Sequence, residues 1–209
     1  FNCINGVYKP QKGSILFEGR ELVGESPVNV ARQGVGRTFQ NLGLFMNLNL
    51  IDNLLLGRHL QMKTGFFSGA LWWGRAKNEE IINRQKIEAI IDLLELQPHR
   101  YQSVGLLPYG IQKRVELGRA LAMEPRILLL DEPVAGMNLE ETEDMARYIL
   151  EINNELGVSI LLVEHDMAMV MDIADCVMAL DFGQTIATGP PKDIQNNPRV
   201  IAAYLGEAS

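Results

Sequence analysis

The chain has 209 residues, 47% of them hydrophobic, enough to bury one domain's core, or a core with a small subdomain, without staples. Its formal net charge is -7 and its basic residues are scattered, which argues against a broad phosphate-backbone footprint and so against nucleic acid as a partner. Cys3 and Cys176 are too few and too far apart for a disulfide framework, which favours the cytosol, and the longest apolar runs fall far short of the roughly 20 residues that span a bilayer.

In chain order, residues 14–17 form a first short apolar run of the kind buried strands show. From 43 to 112 helical patterns dominate and β-branched runs become rare, with Ile87, Ile90, Ile91 and Leu94 on one side of a helix over 81–96. This stretch is expected to be a helical subdomain inserted between a first core segment, 1–42, and a second, 113–209. Inside it, residues 63–73 are aromatic, glycine-rich and aperiodic, as a loop with a short helix would be. A helical run over 115–123 leads into an apolar strand at 127–130. Residues 139–156 carry Leu139, Met145, Ile149 and Ile152 at helical spacing and stop at Gly157, a plausible cap. Strands follow at 159–163 and 176–180, and residues 177–187 read as an antiparallel hairpin turning at Gly183. Pro190 and Pro191 break the chain before a short helix, and Asn197-Pro198 separates it from a last one ending near Leu205. Strands alternating with helices predict an α/β fold on a mostly parallel sheet, with no internal repeat.

Four places carry chemistry. The strand 127–130 ends in Asp131-Glu132-Pro133, delivering two carboxylates to the sheet's carboxyl edge, where ligands of open α/β sheets bind. An acid there can help hold Mg²⁺ while its neighbour positions a water; an acidic strand end capping a turn would read the same. Leu107, Pro108, Tyr109, Gly110, Ile111 and Gln112 open a helix at which Gly110 permits close approach and exposed amides favour an anion, although a plain helix-entry turn has this pattern too. His165 follows the strand 159–163 and Glu164, placing it at the same edge as a phosphate donor or as a polar cap. Gln40, within Arg37-Thr38-Phe39-Gln40, offers a neutral amide to metal or water and says little alone.

In this order and spacing the four places resemble the ABC ATPase family, over essentially the whole sequence. The resemblance implies a P-loop NTPase-like core binding ATP and Mg²⁺, with Gln40 the Q-loop glutamine and residues 107–111 the signature loop. Asp131 is then similar to the metal-holding Walker B acid, Glu132 to the catalytic base, His165 to the switch histidine, and Asn138 closes the D-loop. Gly36-Arg37-Thr38-Phe39-Gln40-Asn41, residues 63–69, the form Leu107-Pro108-Tyr109-Gly110 and the ending at 200–207 look closest to the larger ATP-binding subunit of branched-chain amino acid importers. Importers of urea or short amides share much of this pattern.

The sequence also departs from the family. It contains no G-x-x-x-x-G-K-[ST] run; Gly34-Val35-Gly36-Arg37-Thr38 is a lookalike with arginine in place of lysine. By the family's pattern residues 1–6 continue the helix that begins in that loop, so the first strand and phosphate loop are expected to lie upstream of Phe1, and the 209 residues alone to be inactive. Ile111 stands where a polar residue is usual, Pro108 where serine is, and Asn138 replaces aspartate. The resemblance further implies a head-to-tail ATPase dimer, homo- or heteromeric, on the cytoplasmic face of the membrane. Gln40 and the adjoining residues 42–56, with Phe45 and Met46, would pass motion to transmembrane permease subunits. A non-transport ABC ATPase in translation or DNA repair is the competing expectation, and a non-enzymatic binding piece a third.

Overall fold

The computed structural model describes residues 1–38, 43–61 and 73–205. Its elements run β1 (Leu16–Phe17), β2 (Arg20–Glu21), α1 (Pro27–Arg32), β3 (Val35–Arg37), α2 (Leu50–Gly57), α3 (Trp73–Leu93), α4 (Tyr109–Leu121), β4 (Ile127–Asp131) and α5 (Leu139–Leu156). Then follow β5 (Ser159–Val163), α6 (Met167–Ile173), β6 (Val177–Asp181), β7 (Gln184–Gly189), α7 (Pro191–Gln195) and α8 (Pro198–Leu205).

The fold is α/β, as the alternation predicts. Strands β3, β4 and β5 form a parallel sheet with β4 in the centre, Gly36 paired with Leu128 and Leu129 with Leu161. Helices cover both faces, so β4 is continuously apolar rather than alternating. Leu128 and Leu130 point into the larger core with Leu54, Ile91, Val115 and Ile149, while Leu129 points into a smaller one with Leu22, Val30 and Val35. All three leucines are fully buried, each worth about 1.5–3 kcal/mol by the usual transfer scale.

Several boundaries differ from the sequence reading. The run at 14–17 yields only the two-residue β1, paired antiparallel with β2 outside the parallel sheet. Conversely, β3 lies in the glycine-broken lookalike segment, too short to show a period; it becomes a strand because β4 supplies its partners. The helix start expected at 107–112 and the run expected at 115–123 form one helix from Tyr109 to Leu121, and the helix expected to 96 ends at Leu93, with Glu95 in a left-handed conformation at φ 52°. Residues 1–6 form turns with one helical bond, Asn5 N to Phe1 O at 3.0 Å, rather than a helix. The aromatic segment at 63–72 lies outside the described residues.

Two local expectations hold. Gly157 ends α5 at φ 66°, a conformation without steric cost for glycine, and at the other end Asn138 and Glu141 cap the helix reciprocally, which the sequence reading had not foreseen. The β6–β7 hairpin closes at Gly183 and packs with α7 and α8 through Ala179, Ile194 and Val200.

Among the described residues β5 bonds only to β4, and β6 only to β7. A groove of about 940 Å³ is lined by residues of both β5 and β6, with Phe1 and Ile4. Leu161, Val163, Met178 and Leu180 remain exposed as a result.

Candidate active site

The parallel register decides what meets at the carboxyl edge of the sheet. Asp131 is the last residue of β4 and pairs with Val163, the last of β5, so the turns leaving both strands start side by side. The Glu132 N–H donates to the Val163 carbonyl at 2.9 Å, and Glu132 takes a left-handed φ of 47°. For a non-glycine residue that conformation stores about 1 kcal/mol or more, here held by the crossing hydrogen bond. It brings Glu132 Oε1 to 3.9 Å from His165 Nδ1. At that distance the two side chains are neighbours but not hydrogen-bonded. The His165 side chain is 70% exposed.

Asp131 faces the opposite neighbour. Its Oδ2 accepts from Arg37 Nη2 at 3.0 Å, both side chains being largely buried. The Arg37 guanidinium also lies 5.6 Å from the centre of the Phe1 ring and donates to Asn2 Oδ1 at 2.6 Å. Sequence reasoning set Arg37 aside as part of a lookalike motif; its role emerges only from β3 lying beside β4.

Glu164 was also missed. Its side chain is 1% exposed, and it accepts from the Val134 N–H at 3.2 Å, the His165 N–H at 2.9 Å and the Asp166 N–H at 3.3 Å. It thereby ties the turn after β4 to the turn carrying His165. The available signal was its place at the end of an apolar strand, at the same edge as Asp131.

The segment 107–112 opens α4 as expected. Leu107 is buried, Pro108 occupies the N-cap with no side chain capping the helix, and Gln112 Nε2 donates to the Leu107 carbonyl at 2.8 Å. First-turn amides lack intrahelical acceptors by geometry, so an uncapped start suits an anion. Ile111 packs against the larger core, which accounts for an apolar residue there. The Tyr109 ring covers Gly136 and the Glu141 carboxylate lies against Gly110, so this helix start abuts the Asp131-to-Asn138 turn. Asn138 Oδ1 accepts the Glu141 N–H at 3.0 Å. Gln40 lies outside the described residues.

Asp131, Glu132 and His165 thus lie at the turns leaving β4 and β5, and the start of α4 touches the far part of the first turn at Gly136. An acid that can take a proton, a second acid suited to a cation, an exposed imidazole and unmet amides make a combination suited to phosphoryl chemistry. Residues 1–135 match the family model described as ABC transporter.

The chain belongs to the ABC transporter family.

Residues 184–209 of this ABC cassette also match the family model described as branched-chain amino acid ATP-binding cassette transporter. It is 44% identical over 211 residues to the Escherichia coli K12 high-affinity branched-chain amino acid transport ATP-binding protein LivG, covering 100% of this chain and 82% of that protein. Against the Pseudomonas aeruginosa high-affinity branched-chain amino acid transport ATP-binding protein BraF the identity is 41%, with the same coverage. Among solved structures it resembles the ADP conformation of MJ1267, an ATP-binding cassette of an ABC transporter, with TM-score 0.80, 26% identity, and 99% of this chain and 82% of that one covered. The family is one of nucleotide-binding ATPases. No helix among the described residues is long and apolar enough to cross a membrane.

Proposed function

We propose that this cassette is the ATP-hydrolysing subunit of an importer of branched-chain or closely related amino acids. The observation that carries the proposal is the 44% identity, along the whole chain, to a protein named for that transport. Assignment to translation or DNA repair is not favoured, since the relatives above are named for transport.

In this reading residues 1–42 and 113–209 form the nucleotide-facing core and residues 43–112 the helical subdomain. Glu132 orients the attacking water and takes its proton, helped by a position strained toward the edge and by His165 at 3.9 Å. His165 donates to charge developing on the transferred phosphoryl group. The amides of Tyr109, Gly110 and Ile111 meet a phosphate held by the other subunit of a head-to-tail dimer, with Leu107, Pro108 and Gln112 fixing their direction. Asn138 holds the turn between the two halves of this arrangement.

Mg²⁺ would neutralise phosphate charge. Among the described residues no cluster of three or more His, Cys, Asp or Glu could cage a metal. A lone aspartate fits Mg²⁺, which is ordinarily held by one or two carboxylates together with water and substrate phosphates. Asp131, whose Oδ2 is held by Arg37, would be that ligand, acting through a bound water, with Gln40 the proposed second.

A permease surface is supported by Phe45, Met46, Leu48 and Leu106, all exposed. They are held together because the Met46 carbonyl accepts from the Gly105 N–H at 2.9 Å and the Ser103 hydroxyl at 2.7 Å. The subunit would dock there from the cytoplasmic side.

The proposal is tested by purifying the native complex and reconstituting it in vesicles. ATP hydrolysis stimulated by leucine, isoleucine or valine supports it; stimulation by unrelated solutes alone overturns it. The 209 residues contain no G-x-x-x-x-G-K-[ST] run. By themselves they are expected to bind Mg-ATP too weakly for calorimetry, and a micromolar affinity would overturn that expectation.

A further inference from the structure

At the start of α4 a side chain at position 110 would have to displace the Glu141 carboxylate. A Cβ built on Gly110 would stand 2.3 Å from Glu141 Oε1 and 2.7 Å from its Cδ, so the carboxylate occupies the space a larger residue would need. The other oxygen of the same carboxylate, Oε2, accepts the Asn138 N–H at 3.1 Å, while Asn138 Oδ1 accepts the Glu141 N–H at 3.0 Å. Glu141 therefore belongs to the cap of α5 and to the packing of α4 at once. Beside it, Tyr109 Cε1 would be 3.4 Å from a Cβ on Gly136, in the turn that leads from Glu132 to Asn138. The helix start thus touches that turn at Gly136 and the first turn of α5 at Glu141.

We propose that Glu141 is a positioning residue that makes the phosphate-facing start of α4 and the turn from Asp131 to Asn138 move as one piece. One carboxylate oxygen holds the end of the turn, the other bears on Gly110, and the capping bonds leave the side chain little freedom to absorb displacement of either. Its charge faces the positive end of α4, which favours this placement. The reason for glycine at 110 is then steric as well as permissive: a methyl group would drive the carboxylate away and open the α5 cap. The functional meaning rests on reading 107–112 as the phosphate-facing loop; the contact itself does not.

The test is amide hydrogen exchange in the full chain carrying Glu141→Ala, Glu141→Asp or Glu141→Gln. Loss of a cap contact of this kind speeds local opening by about fivefold. Glu141→Ala should accelerate exchange that much both over 138–142 and over 109–114. Glu141→Gln, which keeps length and an acceptor, should stay within about twofold of wild type in both segments. Glu141→Asp is one methylene shorter and folds as a good capping residue, so it keeps the test readable if Glu141→Ala does not fold. It should accelerate 109–114. Acceleration confined to 138–142 in both the Ala and Asp variants overturns the proposal, because Glu141 would then be a cap and nothing more. That result would leave the reading of 107–112 intact, whereas full ATPase activity of the assembly carrying Gly110→Asp would remove that reading, whatever the exchange pattern of the Glu141 variants.

Discussion

Arg37 Nη2 stands 3.0 Å from Asp131 Oδ2, joining residues 94 positions apart at the ends of adjacent parallel strands. The pair is largely withdrawn from water, so each charge depends on the other. Arg37→Ala is expected to lower unfolding free energy by about 1–3 kcal/mol, mostly from leaving Asp131 without its partner. Arg37→Lys should recover only part, since a point charge cannot also serve Asn2. Adding Asp131→Asn to Arg37→Ala should cost less than the single changes sum to. Urea denaturation of the four chains checks this, and strict additivity would remove the coupling.

Glu132, the base in the proposed mechanism, holds a backbone conformation that costs stability. In the ATP-hydrolysing assembly, Glu132→Gln should retain nucleotide binding and lose about 10²–10⁴-fold in turnover. Glu132→Gly should lose activity equally yet be as stable as wild type or up to about 1 kcal/mol more so, because glycine relaxes the φ of 47°. Steady-state kinetics beside thermal melts separate these; near-normal turnover of Glu132→Gln would exclude Glu132 as the base.

Arg58 is a buried charge with several duties. Its Nε donates to Asn83 Oδ1 and its Nη1 to the Ala122 carbonyl, each at 2.9 Å, and Nη1 pairs with Glu124 at 3.1 Å. Arg58→Ala should therefore destabilise by about 2–4 kcal/mol, measured by chemical denaturation. Burial pushes the Glu124 carboxyl up, but Lys86 and Arg58 together hold it below its ordinary value. Its contribution is present above that ordinary value and is lost as pH falls through the folded one. Arg58→Ala should accordingly flatten the acid limb of the stability curve.

Tyr148 joins α5 to α4 and to the turn after α3 through its hydroxyl, which donates to Glu95 Oε2 at 2.9 Å and accepts from Arg114 Nη1 at 2.8 Å. Burial and the bond to Glu95 raise its phenol above the ordinary value, against the pull of Arg114. A raised value means that the neutral form is favoured in the fold. The contribution is thus complete below about pH 10 and disappears as pH rises through the folded value. Tyr148→Phe should cost about 1–2 kcal/mol at neutral pH and show a shallower alkaline loss than wild type in denaturant midpoints.

Sequence by itself determined the elements whose cause is local. The apolar run of β4, the hairpin at Gly183 and the α5 cap at Gly157 follow from periodicity and turn chemistry within a few residues. The same locality placed Asp131, Glu132 and His165 at one sheet edge, because the last residue of a buried parallel strand can lie nowhere else. Only the tertiary structure decided that Arg37 is the partner of Asp131, that Glu164 binds three amides across two turns, and that Glu141 fills the space beside Gly110. Those contacts depend on the register of β3 on β4 and on the approach of α4 to α5. Side chains brought together from 30 to 94 positions apart leave no periodic trace in the chain.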